Sequence, residues 1–193
     1  MIELHINDTI ASERQKYTAM WEQPAYHEFS PGKELVKHFM KIVQPPPRSS
    51  LIDIGCGDGI AGLEFAKLGL QVTYLDLIDV LRPEVDRGRF IEAPIWSFWH
   101  RHRSLGWDYG YCVDVLEHLP KEYTMLSVER IVRACRLAWL AIALVPDVHG
   151  ATIGEQLHLT IESFEWWRDR IASIGKLIEA RDFCGRGLYV VAK

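Results

Sequence analysis

The chain has 193 residues, enough for one domain with a sizeable core. With 48% hydrophobic and 25% charged residues it has the make-up of a globular protein, and a net charge of −4 supplies no general basic field for nucleic acid. No apolar run reaches the ~20 residues of a membrane helix, and "MIELHINDTI" has no basic start followed by an apolar stretch, so neither a span nor a signal peptide is expected.

Residues 1–30 are mixed and rich in aromatics. "SPGKELVKHFMKIV" then predicts a helix. Ser30 caps it, Pro31 sits in its first turn, and Leu35, Val36, Phe39, Met40 and Val43 mark one face. "QPPPRSS" ends it. From there strands and helices alternate. "SLIDIG" reads as a short buried strand, "GIAGLEFAKLG" as a helix ending at Gly69, "QVTYLDL" as a second strand and "RFIEA" as a weak third. "PIWSFWHRHRS" reads as helical, and "WDYGYCVDVLEHL" holds a fourth strand ending near Asp114. "KEYTMLSVERIVRACR" is a helix and "LAWLAIALVP" a fifth strand. "TIESFEWWRDRIASIG" is a helix capped by Thr160 or a neighbour, with one tryptophan of Trp166 and Trp167 in the core and one at the rim. "KLIEARDF" and "GLYVVAK" close the chain as two strands with no room for a crossover helix, so they are antiparallel neighbours. The alternation predicts an α/β, Rossmann-like, doubly wound and mainly parallel seven-stranded sheet with an antiparallel C-terminal strand.

The four cysteines, Cys56, Cys112, Cys135 and Cys184, form no C-x-x-C pair and have no histidine at metal-binding spacing. Reduced thiols in a cytoplasmic protein are expected, with no metal site.

The most informative stretch is "LIDIGCGDGIAG", residues 51–62. Read from Gly57, "GDGIAG" satisfies the dinucleotide fingerprint G-x-G-x-x-G, with Asp76 about 20 residues on. In that fingerprint the first glycine directly follows the strand, whereas here Gly55 and Cys56 come first. The frame that fits is D-x-G-x-G-x-G: Asp53, Gly55, Gly57, Gly59. It resembles motif I of the class I S-adenosylmethionine-dependent methyltransferases. "VTYLDL" puts Asp76 at the end of the second strand. "RFIEAPI" resembles the segment that meets the adenine. "YCVDVLEHLP" resembles the fourth-strand signature of a small-molecule group that includes ubiquinone-biosynthesis enzymes. The four motifs come in the right order across residues 50–145.

The resemblance implies S-adenosylmethionine as cofactor, S-adenosylhomocysteine as product, and a crevice over the carboxyl ends of the strands. Glycines let the backbone approach the ligand without Cβ clashes. Gly55, Cys56, Gly57 and Gly59 would line its methionine end, with Asp53 either tying the turn or meeting the ammonium. Asp76 can accept from both ribose hydroxyls. Glu92 and Ala93 would meet the adenine, although Glu92 departs from the more usual Asp, and Leu77 and Ile78 would pack on the ring. Asp114, Val115 and His118 follow the fourth strand, and His118 is a pocket residue or a base titrating near neutral pH. His158, in "EQLHLT", is the first candidate for general base; His149 and Glu155 are others. "YTAMWEQPAY" resembles lids of small methyltransferases, with Tyr17, Met20, Trp21 and Tyr26 closing over the site. Residues 1–30 are thus read as lid and 31–193 as the methyltransferase domain.

In "WSFWHRHRS", Trp96, Phe98, Trp99, Arg101 and Arg103 make either an anionic-acceptor site or an amphipathic helix with a basic outer face. The expected reaction is in-line methyl transfer to an oxygen or nitrogen of a small-molecule acceptor, without membrane or nucleic-acid partners. A macromolecular acceptor and a non-catalytic cofactor-binding subunit are the alternatives.

Overall fold

The β–α rhythm resolves into one sheet. A computed structural model describes residues 2–28, 30–101 and 106–193. Its strands are β1 (Ser50–Ile54), β2 (Gln71–Asp76), β3 (Phe90–Glu92), β4 (Trp107–Val113), β5 (Cys135–Ala143), β6 (Lys176–Asp182) and β7 (Arg186–Ala192), in the order β3-β2-β1-β4-β5-β7-β6. Pairs from β3 to β5 are parallel, and β7 is antiparallel to both β5 and β6. The chain runs outward from β1 to β3, then returns to the other side of β1 with β4. Strand order reverses there, and a crevice opens beyond the carboxyl ends of β1 and β4.

The sheet is covered on both faces, and the two-residue period of its strands sorts the core. Ile52 and Ile54 of β1, Cys112 of β4 and Leu140 and Ile142 of β5 share one cluster with helices α5 (Ile95–Arg101), α6 (Lys121–Ala134) and α7 (Phe164–Ile174). Leu51, Tyr111, Val113 and Trp139 point to the other face, against α3 (Pro31–Val43) and α4 (Ile60–Lys67). Burial on both faces is why the strands read as near-continuous apolar runs.

The helix ends follow their cap chemistry. Ser30 Oγ accepts from the Lys33 N–H at 3.3 Å, and α3 ends in a left-handed Gln44 before three prolines. Ser163, the neighbour allowed for in sequence, caps α7 by accepting from the Trp166 N–H at 3.1 Å. Thr160 instead is buried and donates to the Leu119 carbonyl at 3.2 Å. Trp167 is in the core, while Trp166 lies at the rim under the Arg170 guanidinium, 3.8 Å from the ring centre. Trp96 and Phe98 are buried against the sheet; Arg103 and the side chains of Trp99 and Arg101 lie outside the described residues.

Two N-terminal helices, α1 (Ile2–Trp21) and α2 (Pro24–His27), precede this core. The end of α1 crosses the carboxyl edge of the sheet. Arg14 pairs with Glu92 at the end of β3, Tyr17 meets His118 after β4, and Trp21 packs on Gly57 after β1. Among the described residues no helix is long and apolar enough to cross a membrane.

Gly62, the last glycine of the apparent dinucleotide frame, lies on α4 against the buried ring of Tyr74 on β2. A Cβ there would come within 2.2 Å of the ring. Its function is close helix–strand packing. Gly62→Ala should therefore lower stability by about 1–3 kcal/mol, the scale of overpacking, although alanine favours an exposed helix over glycine by about 1 kcal/mol. Chemical denaturation measures it. A variant as stable as the parent would mean that Tyr74 moves aside without cost.

Candidate functional site

The crevice is lined from five directions: the turn after β1, the ends of β2 and β3, the segment after β4, the loop after β5, and the N-terminal helices.

The turn is held by β2. Gly55 and Cys56 N–H groups donate to the Leu75 carbonyl at 2.8 and 3.1 Å, and the Gly57 N–H donates to Asp76 Oδ2 at 2.7 Å. Gly55 and Gly57 are left-handed, with φ of +68° and +53°, which any side chain would strain. Space is also short. A Cβ on Gly55 would fall 2.3 Å from Val115, and one on Gly57 2.8 Å from the Trp21 ring. Asp76 Oδ1 accepts from the Leu77 and Ile78 N–H groups at 2.7 and 3.4 Å. Three of about four acceptor positions of that carboxylate are used internally, which leaves room for a ligand hydroxyl. Burial pushes the Asp76 carboxyl above its ordinary value, and these N–H bonds oppose the shift.

Asp53 lies beneath the turn. It is buried, and its Oδ2 has no hydrogen-bond partner among the described residues. Burial pushes its pKa up to about 7.

On the far side, Asp114 follows β4 with a left-handed φ of +53°. Its carboxylate takes a bidentate pair from Arg186, at 3.0 and 2.9 Å, which staples β4 to the start of β7 across β5. Glu117 is fully buried. Its Oε1 accepts from the Ala143 N–H at 2.7 Å, and its carbonyl accepts from Leu159 and Thr160 at 2.7 and 2.9 Å. Those two bonds clamp the segment carrying His158 against the turn carrying His118. The two imidazole rings meet edge to face, 4.7 Å between centres. Burial first, and the neighbouring Asp114 second, push Glu117 up to about 8. His118 is pushed down to about 3, by burial and then by His158. Of the two readings of His118, this argues for the pocket residue and against a base titrating near neutral pH: enclosure by α1 and the loops disfavours the charged ring.

Over these groups sit the aromatics of the N-terminal helices. The Tyr17 hydroxyl is 2.8 Å from His118 Nδ1, and Trp21 meets Tyr26 edge to face at 5.1 Å. Tyr26 also faces His149, with 6.1 Å between ring centres.

Twelve of the residues singled out as cofactor contacts share this cavity: Tyr17, Trp21, Asp53, Gly55, Cys56, Gly57, Asp76, Leu77, Ala93, Asp114, Val115 and His118. His158 and His149 line it as well. Gly59, Ile78 and Glu92 do not. Gly59 faces Val85 and Leu81 at the start of α4, Ile78 is buried, and Glu92 is exposed and paired with Arg14. Glu155 is exposed, outside the cavity. Sequence reasoning did not single out Glu117, Tyr111, Asp147 or Leu157. Asp147 accepts from Gly150 and Leu157 N–H groups at 2.6 and 2.9 Å and so shapes the loop after β5. The D-V-L-E-H run was the available signal for Glu117; its carboxylate turns inward, which the run alone does not tell.

No protein-family model matches the chain. It is 28% identical over 125 residues to a ubiquinone biosynthesis O-methyltransferase of Shewanella halifaxensis (strain HAW-EB4), covering 58% of this chain and 52% of that protein. The chain spans about half the length of the ubiquinone-biosynthesis relatives it matches. In structure it is similar to magnesium protoporphyrin IX methyltransferase from Synechocystis PCC 6803 with bound SAH, at a TM-score of 0.66 and 14% identity over 100% of both chains. It is also similar to 1,6-didemethyltoxoflavin-N1-methyltransferase of Burkholderia thailandensis, at a TM-score of 0.67 and 12% identity, over 98% of this chain and 89% of that one. The chain has the fold of the class I S-adenosylmethionine-dependent methyltransferases.

The buried Asp53 makes stability depend on pH. Its folded pKa of about 7 exceeds the ordinary carboxyl value of about 4. Between those values the unfolded chain has lost a proton that the folded chain holds, so stability falls as pH rises through the window and is flat above it. Asp53→Asn carries no such proton. Denaturation at pH 5 and pH 8 should show the variant gaining on the parent by at least about 1 kcal/mol at the higher pH. A constant difference across that range would mean that Asp53 titrates normally.

Proposed function

We propose that the chain binds S-adenosylmethionine in this crevice and transfers its methyl group to an oxygen or nitrogen of a small-molecule acceptor. The observation that carries the reading is the left-handed glycine turn tied to Asp76, at the point where strand order reverses. The names of the relatives support it: one is an O-methyltransferase, and two similar solved structures hold the demethylated product.

The cofactor supplies an activated methyl on a sulfonium; the chain supplies position and exclusion of water. Asp76 is assigned to a ribose hydroxyl, with Leu77 and Ala93 as walls for the adenine. Glu92, held by Arg14, is given no adenine contact. Gly55 and Gly57 take the amino-acid end, with Asp53 as the brace beneath them. Trp21, Tyr17 and Tyr26 are assigned as a lid that excludes water. The acceptor end is assigned to His118, His158, His149 and Tyr26, and His158 is the residue that acts on the acceptor's proton. The free thiols of Cys56, Cys112, Cys135 and Cys184 support a cytoplasmic setting.

S-adenosylmethionine or S-adenosylhomocysteine should raise the melting temperature by mass action, and NAD should not. Asp76→Ala should weaken the cofactor by about 1–3 kcal/mol, the scale of hydrogen bonds to a charged group. Calorimetry tests both, and tighter NAD binding would overturn the assignment. Label transfer from the cofactor across a metabolite panel tests turnover.

The lid assignment predicts that residues 10–28 gain hydrogen-exchange protection when S-adenosylhomocysteine binds. Unchanged exchange there would reduce α1 and α2 to rim packing. Once an acceptor is known, His158→Ala should lower turnover by about 10²–10⁴-fold with cofactor affinity nearly unchanged. Near-normal turnover would remove His158 from the chemistry.

A further inference from the structure

We propose that the methyl acceptor is an amine, which enters the cavity as an ammonium and is held by Asp147 and the ring of Tyr26 with its nitrogen toward His158. This rests on the methyl-transfer reading and names the acceptor's class. Six carboxyl side chains line the cavity, and among the described residues no lysine or arginine does. Three of the six are paired with cations outside the lining: Glu13 with Lys16 at 2.6 Å, Asp58 with Arg82 at 2.6 Å and Asp114 with Arg186 at 2.9 Å. Asp53 lies beneath the glycine turn, and Asp76 is assigned to the cofactor. That leaves Asp147 for the acceptor end.

Asp147 is held as an anion. Its Oδ1 accepts from the Gly150 N–H at 2.6 Å, and its Oδ2 from the Leu157 N–H at 2.9 Å and the Gln156 side chain at 3.1 Å. Burial raises its carboxyl, but the backbone N–H bonds outweigh burial and keep it below its ordinary value. The aromatic rings supply an independent sign of a cation. Tyr26 meets Trp21 at 83° and His149 at 75°, so the three rings form a corner, and the face of such a ring attracts positive charge. Burial first, and then Asp76, Asp114 and Asp147, push the Tyr26 hydroxyl up, so the ring stands in a negative field. Behind the histidines, Glu117 is fully buried and its Oε2 has no hydrogen-bond partner among the described residues. One of its oxygens comes within 4.8 Å of a nitrogen on His118 and on His158, an unmet acceptor that favours positive charge there.

This field decides between acceptor atoms. A hydroxyl that loses its proton here becomes an oxyanion facing carboxylates and no cationic side chain. With an amine the developing charge is positive, which the same groups stabilise. The Val145 carbonyl, 2.6 Å from His158 Nδ1, can only accept, so Nδ1 carries the proton and Nε2 the lone pair. Nε2 takes one proton from the ammonium. The nitrogen lone pair so freed forms the bond to the methyl carbon as the C–S bond breaks, its electrons remaining on sulfur as a thioether. Nitrogen ends as an N-methylammonium, and the imidazolium returns its proton to water. Carboxylate and phosphate acceptors are rejected by like charge.

The test is calorimetry at neutral pH on full-length protein saturated with S-adenosylhomocysteine. The probes are benzylamine, benzyl alcohol and benzoate, which share a ring and differ in charge. Benzylamine should bind at least about 10-fold tighter than either of the others. Asp147→Asn should weaken benzylamine about 10-fold and leave benzyl alcohol unchanged. Tyr26→Leu should weaken benzylamine about 3-fold or more, and Tyr26→Phe, which keeps the ring, should not. Circular dichroism checks that each variant is folded. Benzylamine bound no tighter than benzoate, or with equal affinity in the parent and both Asp147→Asn and Tyr26→Leu, overturns the amine class while leaving the cofactor site standing. A protein that binds no S-adenosylhomocysteine overturns the methyl-transfer reading itself. In label transfer the methyl should appear on nitrogen, and label on oxygen overturns the inference.

Discussion

The bond from the Gly57 N–H to Asp76 organises the ligand side of the crevice. It joins the turn after β1 to the end of β2, so two strand ends become one surface. The turn is further held by the two bonds to the Leu75 carbonyl and by Arg82, whose N–H and guanidinium both bind Asp58. Through the Gly57 bond the Asp76 carboxylate is fixed at the base of the turn, and burial beside fixed N–H dipoles makes it a preorganised acceptor. Asp53 is the complement beneath: a buried carboxyl whose Oδ2 has no hydrogen-bond partner among the described residues.

The acceptor side is built differently, by long-range clamping of loops rather than by a tight turn. Glu117 takes the N–H groups of Ala143, Leu159 and Thr160, so one residue fixes the end of β5 and the segment bearing His158. The Asp114–Arg186 pair locks the same rim to the antiparallel strand β7. The antiparallel closing pair thus has a consequence for the site: it presents the start of β7 at the carboxyl edge, where Arg186 can reach Asp114. Helix α1 then lies over both halves, on Gly57 through Trp21 and on His118 through Tyr17. A change in α1 is felt at the turn and at the histidine pair together.

The elements were legible because their signals are local. Buried apolar runs marked the strands, Ser30 and Pro31 marked α3, and the shortness of the last connection set β6 and β7 antiparallel. The glycine turn and Asp76 were legible because one turn of chain and one strand end suffice to define them. Contacts set by distant chain were not. Glu92 was read with the adenine from the resemblance of "RFIEAPI", and its pair with Arg14, far earlier in the sequence, is written nowhere near it. The choice between His118 as a pocket residue and as a base titrating near neutrality stayed open because its burial under α1 and beside His158 is not written near position 118. The convergence of Glu117 and His118 with His158 depends on backbone bonds across 42 residues, which no motif spacing records.

The most direct measurement of the central claim is a crystal structure of the protein grown with S-adenosylhomocysteine. The account predicts a ribose hydroxyl on the Asp76 carboxylate, the adenine between Leu77 and Ala93, and the amino-acid end over Gly55 and Gly57 beneath Trp21. A ligand bound elsewhere, or in the crevice with its ribose away from Asp76, would contradict it.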